Sequence, residues 1–317
     1  MARALICGIG GQDGSYLAKL LLDKGYDVWG TSRDAETASF SNLSRLGVRD
    51  RVKVLSMAPS DFLSVSEAVE RSDPDEIYNL SGQSSVGLSF QQPAETLESI
   101  VTGVLNLLEV ARRQKQGVKI YHAGSSECFG DTGDIAATED TPFQPRSPYA
   151  VAKASAHWLV ANYREAYGVN CYTGILFNHE SPLRPPRFVT RKIIAGAARI
   201  AQGDDTKLTL GNLDIARDWG WAPEYVDAMW RMLQTDAPGD FLIATGQTTA
   251  LRDFVAEAFA FFDLDWQQHV VQSTEFNRPS DILVSRADPS RAARELDWRA
   301  QTHMRDVVRE MCESENR

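Results

Sequence analysis

The sequence predicts an α/β fold: a doubly wound parallel sheet followed by a smaller C-terminal α/β cap. Three observations carry this reading. Short apolar runs alternate with amphipathic, helix-length segments across residues 1–177, the rhythm of parallel strands joined by crossover helices. A tight cluster of glycines separates the first apolar run from the first helical segment. Beyond residue 177 the alternation weakens at the turn-rich stretch Ser181-Pro182-Leu183-Arg184-Pro185-Pro186. Two domains are therefore expected, 1–177 and 178–317, with some segments of the second returning to the sheet.

Each element has its own signal. Ala4 to Cys7 is a short apolar run ahead of the glycines, and Gln12 to Lys24 carries Leu17, Leu20 and Leu21 on one helical face. Asp27 to Thr31, Val52 to Leu55 and Glu76 to Leu80 read as the next three strands. Ile100, Val104, Leu107, Leu108 and Ala111 follow the spacing of an amphipathic helix. Val118 to Ala123 reads as a fifth strand, Pro148 to Tyr167 as a long helix and Val169 to Leu176 as a sixth strand. In the second part, Phe188 to Ala201, Pro223 to Leu233, Leu251 to Phe262 and Met304 to Met311 read as helices. Leu208 to Leu210 and Phe241 to Ala244 read as short strands. Such sheets bind ligands beyond the carboxyl ends of their strands, and Ser125, Glu127 and Asn178 all fall at such ends.

Composition narrows the class. The 317 residues are 43% apolar, enough for a large core. A formal charge of −10 and a pI near 5.1 argue against a nucleic-acid partner. Arg184, Arg187, Arg191 and Lys192 still gather enough local positive charge to meet an anion. Cys7, Cys128, Cys171 and Cys312 are far apart and lack metal-ligand spacing, so no metal is expected. Cys7 and Cys171 suit the core, and Cys128, beside Glu127, is the thiol nearest the chemistry. The sequence opens directly into a strand-like run and holds no apolar run of 18 residues, so a cytoplasmic protein without a membrane partner is expected.

The glycine cluster is Gly8-Ile9-Gly10-Gly11-Gln12-Asp13-Gly14, a GxxGxxG between a strand and a helix. That context marks a Rossmann-type dinucleotide loop, where glycines allow close backbone approach and the helix N-terminus faces a diphosphate. Gly8, Gly11, Gln12, Asp13 and Gly14 are thus candidate cofactor contacts. The second strand ends Gly30-Thr31-Ser32-Arg33, with a hydroxyl and a guanidinium where an NAD site usually places a carboxylate. A guanidinium pairs well with a 2′-phosphate, which favours NADP, although Asp34 stands next to it.

Tyr149-Ala150-Val151-Ala152-Lys153 places a phenol and an ammonium four residues apart on a helix. The lysine is expected to lower the phenol's pKa and make it a base for a sugar hydroxyl. Ser125 stands 24 residues upstream, past an apolar segment, and can donate to the same oxygen. Glu127 adds a carboxylate that plain alcohol oxidation does not need. Oxidation of a hydroxyl plus a second proton transfer is the chemistry this set suggests.

These segments resemble the extended short-chain dehydrogenase/reductase superfamily and, within it, the GDP-mannose 4,6-dehydratase family. The resemblance runs over nearly the whole chain. Its specific carriers are Asn178-His179-Glu180-Ser181-Pro182 and Phe188-Val189-Thr190-Arg191-Lys192, supported by Gly11 to Leu17, Pro145 to Tyr149 and Arg217-Asp218-Trp219-Gly220. It implies that Ser125, Tyr149 and Lys153 oxidise carbon 4 of the sugar with NADP and that Glu127 acts on carbons 5 and 6. It implies a GDP-mannose site, or one for a closely related GDP-sugar, built from Ser126, Asn178, Lys192, Arg217 and Arg278. Glu180 either bonds a sugar hydroxyl or caps a turn. A homodimer or homotetramer is implied as well.

The sequence departs from that family at several points. Serine stands at 125 in place of the usual threonine, Met57-Ala58-Pro59-Ser60-Asp61 lacks the family's adenine-contacting aspartate, and Ala35 to Asn42 is poor in arginine. Pro185 and Pro186 stiffen the loop on the sugar side. Other activities stay open at this level: the reductase that acts on the dehydrated product, a dehydratase for GDP-mannoheptose, and a non-catalytic NADP-binding sensor.

Overall fold

The computed structural model describes residues 1–114, 117–276 and 278–316. The chain starts with β1 (Arg3–Cys7), α1 (Gln12–Asp23), β2 (Asp27–Ser32), the short α2 (Ser41–Arg45), β3 (Lys53–Ser56), α3 (Phe62–Ser72) and β4 (Glu76–Asn79). Next come α4 (Val86–Gln91), α5 (Pro93–Leu97), a π-helical turn (Glu98–Thr102) and α6 (Gly103–Gln114), then β5 (Lys119–Ala123), α7 (Pro148–Tyr167) and β6 (Cys171–Leu176). The second part holds β7 (Asn178–Glu180), α8 (Val189–Ala201), β8 (Leu208–Leu210), β9 (Ala216–Trp221), α9 (Ala222–Leu233) and β10 (Asp240–Ile243). It closes with β11 (Thr248–Ala250), α10 (Leu251–Ala260), α11 (Trp266–His269), β12 (Val270–Gln272), α12 (Ser290–Glu295) and α13 (Met304–Glu315).

Among the described residues, seven parallel strands form the main sheet in the order β10-β6-β5-β4-β1-β2-β3. The fold class is the one expected. The order reverses between β1 and β4, and this switch point opens a crevice at the strands' carboxyl ends. Both faces are covered. Ile6, Tyr78 and Tyr121 pack with Leu17 and Leu21 of α1 and Val226 and Met229 of α9. Leu5, Ile77 and Ile120 pack with Val65 of α3, Leu107 of α6 and Ala156 of α7 on the other face. β10 and α9 come from the second part of the chain, yet they sit in these layers. A separate core joins α8, α10 and α13 around Trp219, Phe254 and Met311.

Local chemistry accounts for the element ends. Asp61 caps α3 by accepting from the backbone N–H groups of Leu63 (2.8 Å) and Ser64 (3.2 Å). Ser147 caps α7, Pro148 fills its first position, and Gly168 ends it in the left-handed conformation. The sequence reading missed β9. Arg217 and Asp218, in its middle, are 5% and 0% exposed, so the strand buries charges where a reader looks for an apolar run.

Candidate active site

The glycine loop turns sharply after β1. Gly8 has φ of +87°, and its N–H and that of Ile9 both donate to Thr31 O at the end of β2. A Cβ on Gly14 would lie 2.8 Å from Ile9 Cα and collide with Gly8 O, so only glycine lets α1 start this close to the strand. Gly11 begins α1 without a side-chain cap, leaving first-turn N–H groups for an external anion. A groove of about 950 Å³ opens over the loop. Arg184, Arg187, Ser81, Gly82 and Arg33 line it together with the glycines. This cradle fits a dinucleotide diphosphate.

Arg33 lies at the rim, its side chain 84% exposed and 3.7 Å from Glu95. Asp34 does not compete for a ribose. Its carboxylate accepts from the N–H groups of Glu36 and Thr37 (3.0 Å each) and the Thr37 hydroxyl (2.6 Å), so it belongs to its own loop. Asp61 caps α3 through Oδ1.

The catalytic candidates converge at the ends of β5 and α7. Ser125 and Tyr149 are each 8% exposed and Lys153 is 7% exposed. The expected electrostatics of Tyr149 need correction. Burial raises the phenol's pKa, and a hydrogen bond from Ser125 opposes that rise. Lys153 is not the group that lowers it: its ammonium donates to Ala123 O at 2.8 Å and stands 5.8 Å from the Tyr149 ring centroid. Burial also drops the Lys153 pKa to about 8. Desolvation therefore outweighs the charge effect inferred from spacing alone.

Glu127 sits in the short helical turn Ser126–Phe129, its N–H 3.3 Å from Ser125 Oγ. Burial raises its pKa, while Arg278 and Arg217 pull it down. The result is a carboxyl held closer to neutrality than a surface glutamate, which suits proton transfer in both directions. Cys128 has no such role, since burial pushes its thiol up to about 12.

The candidates on the sugar side divide. Asn178 is partly exposed at the start of β7, beside Trp219 of β9. Arg278 is partly exposed and 3.6 Å from Asp281. Ser126 is 6% exposed next to Glu127. Lys192 donates to Thr209 O (2.7 Å) and lies 4.1 Å from the Phe276 ring centroid. Arg217 is spent mainly on backbone: its guanidinium donates to Ile282 O (2.7 Å), Ala216 O (2.9 Å) and Leu283 O (3.3 Å). It reaches Glu127 through its field. Glu180 is 1% exposed, accepts from the Thr190 hydroxyl (2.6 Å) and faces Arg184 Nε (3.3 Å). Both partners are side chains, one on each side of residues 185–189, so Glu180 braces the loop of residues 181–188.

One pair was not singled out from the sequence. His179 Nε2 meets Asp13 Oδ2 at 2.9 Å, and His179 Nδ1 meets Phe177 O at 2.7 Å. Gln12 adds bonds to His179 O (3.2 Å) and the Ser181 hydroxyl (2.8 Å). The first turn of α1 is thus riveted to β7 and the loop after it. Both residues stand in segments noted above, but only the fold brings positions 13 and 179 together. Among the described residues no group of three or more His, Cys, Asp or Glu side chains is placed to hold a metal, and no helix is long and apolar enough to cross a membrane.

A family model for GDP-mannose 4,6 dehydratase matches residues 5–311. The chain belongs to the GDP-mannose 4,6-dehydratase family. It is 41% identical over 322 residues to GDP-mannose 4,6 dehydratase 1 of Arabidopsis thaliana, spanning 98% of this chain and 89% of that one. It is 41% identical to GDP-mannose 4,6-dehydratase of Sinorhizobium fredii (97% and 95% covered) and 38% identical to GDP-mannose 4,6 dehydratase of Homo sapiens (98% and 91% covered). Two solved structures share the fold. The dTDP-glucose 4,6-dehydratase of Bacillus anthracis, in complex with NAD, superposes with a TM-score of 0.87 at 17% identity, covering 99% of this chain and 96% of that one. The UDP-glucose 4-epimerase of Thermotoga maritima, with UDP-glucose, has a TM-score of 0.87 at 20% identity, with 98% and 97% covered. Every candidate site residue lies within the span matched to the family.

The pair of Asp13 and His179, with the imidazole buried and the carboxylate partly exposed, makes a pH-dependent contribution to stability. For His179, burial lowers the pKa, but the charge and hydrogen bond of Asp13 overcome it and leave the pKa raised. For Asp13, burial raises the pKa, but His179 overcomes it and leaves the carboxyl low. A histidine raised in the folded state stabilises fully below its ordinary value of about 6.5 and loses that stabilisation as pH climbs through the folded value. The Asp13 share is lost only in acid, below its ordinary 3.8. Thermal melts from about pH 6 to pH 9 should show Tm falling more steeply in the unaltered protein than in His179→Gln. Parallel slopes would show that the pair carries no such linkage.

Proposed function

We propose that the protein catalyses NADP-dependent dehydration of GDP-mannose to GDP-4-keto-6-deoxymannose. The observation that carries the proposal is Glu127: a buried carboxyl whose pKa burial raises, beside Ser125 and Tyr149, in a chain of this family. Tyr149 takes the proton of the carbon-4 hydroxyl while Ser125 donates a hydrogen bond to the same oxygen. When bound, NADP supplies the redox step, accepting a hydride from carbon 4 and returning it to carbon 6. Glu127 removes the carbon-5 proton, made acidic by the new ketone, and the carbon-6 hydroxyl leaves as water. Lys153 holds the cofactor ribose beside Tyr149.

Residues 1–177 hold the cofactor and residues 178–317 hold most of the nucleotide-sugar in this reading. Ser126, Asn178, Lys192, Arg217 and Arg278 serve the substrate, with Glu180 shaping their loop. NADP is favoured over NAD because Arg33 directly follows β2 while the Asp34 carboxylate is turned into its own loop. Four free, buried cysteines support a reducing compartment, the cytoplasm. We also assign a homodimer formed through α5, α6 and α7. Exposed apolar groups support it on those helices: Leu97 (37%), Leu105 (36%), Val151 (43%) and Trp158 (62%).

Four experiments test these assignments. Given GDP-mannose and no added reductant, the protein should release a 4-keto sugar without net use of NADPH. Glu127→Gln should keep carbon-4 oxidation and lose elimination by roughly two to four orders of magnitude; an unaltered rate of 6-deoxy product would remove the carboxylate from the mechanism. Arg33→Ala should weaken NADP binding about tenfold to a hundredfold and leave NAD binding alone, whereas equal affinities in the unaltered protein would end the NADP preference. Sedimentation at micromolar concentration should give a dimer, and Trp158→Glu should shift it towards monomer; a monomeric unaltered protein refutes the interface.

A further inference from the structure

Asn79, His122, Thr173 and Asp240 are register partners on the successive parallel strands β4, β5, β6 and β10. Partners in a parallel sheet share a face, so these side chains form one polar row across it. Around the row the layer is apolar, filled by Ile77, Ile120, Ala156 and Cys171. From above, α7 lowers Lys153 and His157, one turn apart on one helical face. Asn79 is 4% exposed, His122 2%, Thr173 0% and His157 8%. Polar atoms this deep are nearly always hydrogen-bonded. Yet His122 Nε2, Thr173 Oγ1 and His157 Nδ1 have no hydrogen-bond partner. Three orphaned atoms on neighbouring side chains are the usual lining of a bound-water site.

The two ends of the row are distinct. At one end Lys153 reaches Ala123 O, close to Tyr149. At the other, His157 Nε2 lies 4.0 Å from Asp240 Oδ2, and Asp240 pairs with Arg164 on the edge strand, 19% exposed. Phe143 packs edge-on to the His157 ring at 4.8 Å and fixes its plane. Asn79 Nδ2 approaches His122 Nδ1 at 3.5 Å, which leaves the ring hydrogen on the unpartnered Nε2.

We propose that this row is a proton path, in which a water held by His122, Thr173 and His157 links Lys153 to Asp240 and the solvent. The inference rests on the dehydratase reading, which creates the need for it. Two protons leave the sugar, one from the carbon-4 hydroxyl and one from carbon 5. Two are delivered, one to the departing hydroxyl and one back to carbon 5. Glu127 passes the carbon-5 proton to the hydroxyl, and carbon 5 is then refilled from solvent. Tyr149 keeps the remaining proton and must shed it before the next turnover. Lys153, as ammonium, gives a proton to the water and, as amine, takes the one from Tyr149. The water protonates His157 Nδ1, and the Nε2 proton leaves toward Asp240. A lysine brought to about 8 by burial gives up its proton more readily than a surface lysine. The other ionisable groups acting on the path are Asp13, Arg164 and the thiols of Cys128 and Cys171.

The test has two arms. A high-resolution crystal structure of the full chain should show an ordered water within hydrogen-bond distance of His122 Nε2, Thr173 Oγ1 and His157 Nδ1. Direct bonds among those atoms, or a dry gap, overturn the path whatever the enzyme's activity. In the second arm, Thr173→Val and His157→Phe remove one polar group each at little change in volume. Each should cut steady-state kcat about tenfold, keep KM for GDP-mannose within about twofold, and enlarge the solvent deuterium isotope effect on kcat. The first-turnover reduction of bound NADP should be unaltered. Variants whose rate loss merely tracks lost folded protein, with the original isotope effect and pH profile, overturn the proposal, as do variants at full rate. Absence of any 4-keto product from the unaltered protein would instead strike the dehydratase reading and leave the crystallographic arm to decide the row.

Discussion

The buried contact between Asp13 and His179 holds the two halves of the site in register. The glycine loop is shaped by the main sheet, while the loop after β7 carries Arg184 and Arg187. Nothing in the parallel sheet itself fixes the distance between them. The ion pair, with the Gln12 bonds to His179 O and Ser181, does so at hydrogen-bond precision. A pair that is largely buried adds little net stability over an apolar contact, but losing one partner leaves the other charge poorly solvated. It is better understood as a device for geometry. His179 also stacks on Tyr225, 4.6 Å away, so the same ring ties the site to α9 and the layer beneath it.

Burial, more than neighbouring charge, sets the chemistry of the candidate catalytic groups. It raises Glu127 and Tyr149 and lowers Lys153. For Glu127 and Lys153 this brings the charged and neutral forms nearer to balance, while the phenol is carried further from it. Tyr149 therefore depends on Ser125 and on whatever drains its proton. This gives the polar row behind α7 its significance. An apolar layer would have been easier to build there, and Asn79, His122 and Thr173 stand in it nonetheless.

Much of this was legible in the sequence, for identifiable reasons. The helix from Pro148 to Tyr167 was marked at both ends, by Ser147-Pro148 and Gly168, and it has those bounds in the structure. The glycine loop was legible because GxxGxxG is a direct record of backbone crowding. β9 was not, because a strand that buries Arg217 and Asp218 gives no apolar signal. Spacing placed Lys153 on the same helical face as Tyr149 but could not reveal that Ala123 O holds its ammonium, a contact across 30 residues. Glu180 was ambiguous until its partners, Thr190 and Arg184, were visible. The polar row was hidden for a plainer reason: its members are spread over residues 79 to 240, and only strand register aligns them.

The placement of β10 bears on how the chain must fold. The sheet's outer strand is residues 240–243, paired with β6, which ends at residue 176. Between them the chain leaves the sheet, builds β7, α8, β8 and β9, and returns through α9, which covers the face beside α1. As the polypeptide emerges from the ribosome, the first six strands are complete while β6 still presents an open, buried-type edge. That edge is the kind that recruits foreign strands. It stays open until more than 60 further residues have been made and the long loop they form has been closed. A chain stopped at the break near residue 177 would be an unfinished sheet rather than a small domain, and its hazard would be aggregation along β6.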